Sequence, residues 1–185
     1  MKNLVKNEQS GRSMVEMLGV LAIIGVLSVG GISGYSKAMA KFKLTKAQDQ
    51  ITMLLMNIRT AFSGSSNYEG LNNTTAVQLN IVPGDMLPGG IGKSVAASGG
   101  IINAFSGKVV LGTTDSNQHF TLEFGGLGKE TCTSLASSDW GTEGLVKMTV
   151  NNTEHDQQAL PIKATTAVSE CQNANSTNKI TWEYY

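Results

Sequence analysis

The sequence predicts an α+β protein. One long N-terminal helix, apolar all round in its first half and amphipathic in its second, packs on an antiparallel β-sheet head. Three observations carry that reading. Residues 17–36 contain no charged side chain. Residues 44–62 place apolar side chains three and four apart, the spacing of one helix face. Beyond residue 107 the pattern changes to alternation, the period of a strand.

The uncharged run reads MLGVLAIIGVLSVGGISGYS. As a helix it spans ~30 Å, about one hydrocarbon core. Its glycines (Gly19, Gly25, Gly30, Gly31 and Gly34) each cost roughly 1 kcal/mol against Ala in a helix. Gly30 and Gly34 form a small-xxx-small pair that permits close helix approach. Gly30-Gly31 is also a place where the helix could bend; the plainer alternative is a membrane helix that tolerates glycine.

The second half of the helix follows without Pro or Gly after Gly34. Leu44, Ala47, Ile51, Leu54, Leu55, Ile58 and Phe62 form its apolar stripe, and Lys46, Asp49, Gln50, Asn57 and Arg59 fall elsewhere. One helix is therefore expected from Arg12 to Phe62, ~75 Å long. Gly64-Ser65-Ser66-Asn67 ends it.

In the head, residues 63–107 are rich in Gly, Ser, Asn and Thr. Residues 77–82 read either as a short strand or as a helical turn, and Pro83-Gly84 and Pro88-Gly89-Gly90 are turn signals. Lys108–Gly112 and His119–Phe124 form a predicted hairpin, joined by the polar residues 113–118. Lys129–Ala136 reads as a short helix carrying Cys132. Leu145–Val150 is a further strand. Lys179–Tyr185 is a last one, with Ile180, Trp182 and Tyr184 on one face.

Charge and composition exclude several functions. Fourteen basic residues balance fourteen acidic ones, so the chain lacks the basic field of a nucleic-acid binder. Two Cys and two His leave little for a structural zinc site. The charge is unevenly placed. Residues 1–43 hold six basic and two acidic side chains, and the remainder holds eight and twelve. A basic, apolar segment joined to a mildly acidic body points to a membrane or assembly element at one end. The positive-inside rule does not orient it. Lys2, Lys6 and Arg12 precede the apolar run, and Lys37, Lys41, Lys43 and Lys46 follow it.

Three processing readings compete for the N-terminal segment: a cleaved secretory signal, a plain anchor, and one that uses the acid at the front of the run. Gly11-Arg12-Ser13-Met14-Val15-Glu16 leads directly into unbroken apolar sequence. A carboxylate at the edge of an apolar helix is costly to desolvate and needs a partner. Arg12, four residues before Glu16, offers one in the less favourable helical orientation. The segment resembles the class III leader of type IV prepilins and pseudopilins. That resemblance implies cleavage between Gly11 and Arg12 by a prepilin peptidase on the cytoplasmic side. It also implies N-methylation of Arg12, and a role for Glu16 as the fifth mature residue, pairing with the α-amine of a neighbouring subunit and setting the stagger of assembly. The first mature residue of the family is usually apolar; here it is Arg12. The implied division is a leader at 1–11, the long helix at 12–62 and a globular head at 63–185, the lollipop fold of pilins.

Cys132 and Cys171 form an even pair beyond an export segment, which reads as a disulfide in an oxidising compartment; two buried thiols are the alternative. Pilins close their C-terminal region with such a bond. A Cys on a short helix after a strand, with the second shortly before a last strand, resembles the type IVb branch.

Other motifs are weaker. Gly89-Gly90-Ile91-Gly92-Lys93-Ser94 lacks the first Gly of a phosphate loop, where Leu87 stands. Glu154, His155 and Asp156 lie in the polar stretch NNTEHDQQ and read as solvated loop. His119 has no nucleophile context. Asn72-Asn73-Thr74 and Asn175-Ser176-Thr177 match glycosylation sequons and read as exposed loop. Trp140, Trp182, Tyr184 and Tyr185 read as core or subunit contact.

No catalytic constellation, metal site or cofactor is expected. The resemblance implies a structural subunit of a type IV pilus, polymerising with copies of itself. Its implied partners are the peptidase, an inner-membrane assembly platform with its ATPase, and minor pilins. It implies residence in the inner membrane with a periplasmic head before assembly, and in an extracellular filament after it. The alternatives are a type II secretion pseudopilin or a minor pilin and, from another class, a membrane-anchored periplasmic binding module that never polymerises.

Overall fold

The computed structural model describes residues 14–89, 100–141 and 143–185. The chain divides into two compact units, Met1–Phe42 and Lys43–Tyr185. Helix α1 (Met14–Ala61) contributes to both. The boundary thus assigns the amphipathic half of the helix to the head.

The described part of the first unit is helix alone. The helix passes through Gly30-Gly31 without interruption. Two polar side chains inside it are satisfied locally: the hydroxyls of Ser28 and Ser36 donate to the carbonyls of Ile24 (2.7 Å) and Ile32 (3.0 Å). Such back-bonding removes unsatisfied donors from an apolar surface, which a lipid-facing helix requires.

The second unit is an α+β domain around a six-stranded antiparallel sheet. Its elements are α2 (Asn73–Gln78), β1 (Ile101–Ile102), β2 (Lys108–Thr114), β3 (His119–Leu127), α3 (Lys129–Ala136), β4 (Leu145–Val150), β5 (Thr153–Asp156), α4 (Ala164–Glu170) and β6 (Asn178–Tyr184). The strand order is β1-β2-β3-β6-β4-β5. The last strand of the chain therefore lies in the middle of the sheet, antiparallel to both β3 and β4. One core cluster joins the helix face Ala47, Ile51, Leu54 and Ile58 to sheet residues that include Leu122, Phe124, Ile180 and Trp182, all without solvent exposure. That face is the stripe the spacing predicts, and burying it is what holds the helix half in place.

Of residues 77–82, Val77 and Gln78 end helix α2, and none forms a strand. Asn72 caps α2, its side-chain oxygen accepting from the N–H groups of Thr74 (2.9 Å) and Thr75 (3.0 Å). Asn73, the next residue, fastens α2 to the sheet: its amide donates to the Val109 carbonyl (2.9 Å) and its oxygen accepts from the Leu111 N–H (2.7 Å). This occupies groups of β2 at and just beyond the end of the two-residue strand β1.

One expectation is corrected. His155 lies in strand β5, paired with β4, and not in a solvated loop. Asn151-Asn152 closes a two-residue hairpin between the paired Val150 and Thr153, with Asn151 at φ 54°. At Gly107 and Gly126 the backbone crosses so closely that a Cβ on either would overlap the other segment, and Gly126 has φ 72°.

Candidate functional site

The candidate functional residues include two groups. The first lies on the apolar half of α1. Glu16 sits in the first turn of the helix, where a carboxylate is favoured by the helix dipole. It is exposed and makes no salt bridge among the described residues. Behind it the large apolar side chains are bare: Leu18, Leu21, Ile23, Val26, Val29 and Ile32 are all more than half exposed. The helix is long and apolar enough to cross a membrane, and none of its most apolar window is buried in the protein. Gly11 and Arg12, the expected cleavage and methylation positions, lie outside the described residues with the rest of 1–11. So does most of the Gly89–Ser94 motif.

The second group holds the head together. Cys132 on α3 and Cys171 after α4 are joined by a disulfide, with their Cα atoms 5.8 Å apart. The bond packs α3 against α4, a helix the sequence reading did not find. Ala164, Ala167 and Cys171 advance by three and four and were the available signal. Close by, Asn178 is fully buried. Its amide donates to the carbonyls of Leu127 and Asn173 (both 3.1 Å), and its oxygen accepts from Asn173 N–H (3.1 Å) and the Asn151 amide (3.0 Å). All its hydrogen-bonding capacity is used, which is what makes a buried amide tolerable.

On the face of the sheet opposite the core, Glu183 of β6 is 7% exposed. Its carboxylate meets His119 Nδ1 at 2.9 Å, the Thr114 hydroxyl at 2.8 Å and Lys147 Nζ at 3.6 Å. Burial acts to raise this carboxyl, but the His119 and Thr114 hydrogen bonds and the Lys147 charge outweigh it and hold it below its ordinary range. The same carboxylates act on Lys147: partial burial pulls its ammonium down, but Glu154 at 3.3 Å and Glu183 raise it overall. His155 bonds Glu170 at 2.8 Å, tying β5 to the end of α4. Neither histidine stands beside a metal-binding cluster among the described residues.

The α1 half of the head is pinned by polar contacts as well as by packing. Gln50 is buried. Its amide donates to Asp85 (2.9 Å) and its oxygen accepts from Ala104 N–H (3.0 Å). Arg59 lies 5.5 Å from the centre of the Tyr184 ring, a cation–π geometry. Burial pushes the Tyr184 phenol up to about 12, with Arg59 pulling the other way. Trp182 packs edge-on to Phe124 and Trp140, at 6.0 and 5.1 Å between ring centres. The expectation that Trp182 and Tyr184 serve the core agrees with their burial; Tyr185 is 61% exposed.

A bare apolar helix that continues into a disulfide-closed head built on an antiparallel sheet is the type IV pilin fold. Two solved structures share it. A type IVb pilin from Salmonella typhi superposes with a TM-score of 0.55 at 22% identity, covering 78% of this chain and 98% of the other. TcpA, a type IV pilin from Vibrio cholerae El Tor biotype, gives 0.50 at 16% identity, covering 78% and 99%. The PilS N-terminal family model matches residues 42–184, and the chain belongs to that family. Two curated relatives, from Escherichia coli O127:H6 and O111:H-, each bear the name major structural subunit of bundle-forming pilus. Each is 24% identical over 98% of this chain and 97% of its own length.

Proposed function

We infer that this chain is a structural subunit of a type IV pilus, made as a prepilin and polymerised through its apolar helix. The observation that carries the reading is the contrast within α1: one half is sealed into a head of pilin fold, and the other leaves its large apolar side chains exposed among the described residues. Such a surface is stable in lipid or against copies of itself, and the two conditions match a subunit before and after assembly. The whole-length match to relatives named as major pilus subunits supports this reading over a secretion pseudopilin, a minor pilin or a binding module that never polymerises.

In this reading the peptidase cuts between Gly11 and Arg12 and the new N-terminus is methylated. Glu16 of a subunit already in the filament then attracts the Arg12 α-amine of an incoming one, which sets the axial stagger. Burial of the apolar helices provides the association energy. The assembly platform and its ATPase extract the subunit, and minor pilins share the filament. The disulfide supports a head on the oxidising side of the inner membrane, the orientation that the charge pattern leaves open. The role is structural, and no residue is assigned a chemical step.

Intact mass of the membrane-extracted protein tests the processing. Loss of residues 1–11 is expected in the wild type, and their retention in Gly11→Ala. Loss of a segment that includes the apolar run would mean an ordinary secretory signal, and no loss a plain anchor; either contradicts the reading.

A further inference from the structure

The described part of the first unit carries two lysines that nothing in that unit neutralises. Lys37 and Lys41 stand four residues apart on α1, just beyond the uncharged run, and both are exposed. Neither makes a salt bridge or a hydrogen bond among the described residues. Lys46, in the second unit, differs: its ammonium meets Asp85 at 3.0 Å. Among the described residues of the first unit the only acid is Glu16. It lies 21 positions before Lys37, ~30 Å along a helix. Like charges four residues apart on a helix repel each other. Each lysine therefore favours an anion from outside its own unit.

The setting of the pair is that of a bilayer surface. The uncharged run ends at Ser36, and as a helix it spans about one hydrocarbon core. A run that crosses the core thus sets Lys37 and Lys41 at the level of the headgroups. Tyr35 and Phe42 flank the lysines, and both rings are exposed. Seven residues are close to two helical turns, so the two rings share one face of α1 and the lysines lie on another. Aromatic and basic side chains at one level of a helix are interfacial anchors. The rings sit among the headgroups, and each lysine stem lies along apolar surface while its ammonium reaches water. In the proposed orientation both lysines are exported, against the usual bias of positive charge to the cytoplasmic side. A zwitterionic headgroup brings its own cation to the phosphate. A net anionic one leaves the phosphate charge to the lysines.

We propose that Lys37 and Lys41 bind the phosphate of net anionic phospholipids, of the phosphatidylglycerol kind, while Tyr35 and Phe42 seat the helix at the same membrane surface. The contact sets the depth of the unassembled helix in the bilayer. It rests on the reading of the subunit as membrane-inserted before assembly.

The test is electron spin resonance on the full chain reconstituted in phosphatidylcholine vesicles, with trace spin-labelled phosphatidylglycerol or phosphatidylcholine. The motionally restricted fraction of each probe reads its affinity for the protein. The wild type is expected to select phosphatidylglycerol at low ionic strength and to lose that preference as salt screens the charges. Lys37→Gln or Lys41→Gln is expected to lower the preference about five-fold, the worth of one lysine at an anionic surface. The Lys37→Arg, Lys41→Arg double variant should keep it. So should Lys129→Gln, whose ammonium bonds Gln172 in the head. Inorganic phosphate should displace the lipid no better than chloride at equal ionic strength. Equal affinity for the two lipids would overturn the proposal. A preference unchanged in the Lys37→Gln, Lys41→Gln double variant, with filament yield lost instead, would also overturn it and assign the lysines to a second copy of the chain. Displacement specific to phosphate would do so in favour of the free anion. Failure of the chain to insert would contradict the membrane reading as well, whereas insertion without lipid preference contradicts this proposal alone.

Discussion

Leu21 and Leu54 lie on the same helix and differ in almost everything else. Leu21 is 61% exposed and Leu54 is not exposed at all. One belongs to a surface that waits for lipid or another subunit, and the other to a core that is complete within its own chain. The comparison shows that the two halves of α1 are stabilised by different partners. The head half is held by the sheet, Gln50 and Arg59. The apolar half depends on its surroundings, and its sequence carries many glycines where a self-sufficient helix would avoid them.

Breaking the head should therefore leave the apolar half in place, and the reverse. The largest effect is expected from the disulfide. Replacing Cys132 and Cys171 by Ser together should lower head stability by roughly 4 kcal/mol on the chain-entropy model. Denaturant unfolding followed by tryptophan fluorescence reads this, with the protein remaining in the membrane fraction. Retention of wild-type stability would mean that α3 and α4 pack well enough unaided.

A matched pair on α1 comes next. Leu54→Ala should cost about 3 kcal/mol, as a buried leucine does. Leu21→Ala should change head unfolding by no more than about 0.5 kcal/mol. Equal losses would show that the apolar half supports the head directly, and the division between the two regions would fail.

The head was largely legible in the sequence where side chains alternate or repeat against a core. The stripe from Leu44 to Phe62, the β2–β3 hairpin, helix α3 and strands β4 and β6 all carry a buried face, so period and burial coincide. Elements without such a face were missed. Strand β5 is four residues long and polar at every position, and only its Asn151-Asn152 turn marked it. Strand β1 has two residues, too few for any period. Helix α4 was missed because Thr165, Thr166 and Ser169 dilute a stripe that only Ala167 and Cys171 bury. The Glu183 network could not be read at all. Thr114, His119, Lys147 and Glu183 come from four parts of the chain, and only the strand order β2-β3-β6-β4 brings them together. At the proposed assembly site the legibility is reversed. Gly11, Arg12 and Glu16 are adjacent in sequence and need no fold to be recognised.

The Glu183 network gives the smallest head effect and sharpens the comparison through pH. Its carboxyl is held below the ordinary value of 4.5 in the folded head. The stability it contributes is therefore complete above about pH 4.5 and is lost as pH falls through the lower folded value. Glu183→Gln should flatten that part of the acid-unfolding curve while filament subunits still insert in the membrane. An unchanged acid limb would show that His119, Thr114 and Lys147 contribute nothing through this group.

The central claim is that the bare half of α1 is an assembly surface whose register Glu16 sets. Filament yield measured by shearing and electron microscopy, at matched subunit level in the membrane, tests it most directly. Glu16→Ala is predicted to leave the head folded, because residue 16 lies outside the unit that forms it, and to reduce filament yield severely. Glu16→Gln, which keeps hydrogen bonding but not charge, should be intermediate or equally poor, and an Arg12→Met, Glu16→Ala double-mutant cycle separates the α-amine from the Arg12 guanidinium as the partner. Wild-type filament yield from both single variants at position 16 would contradict the account.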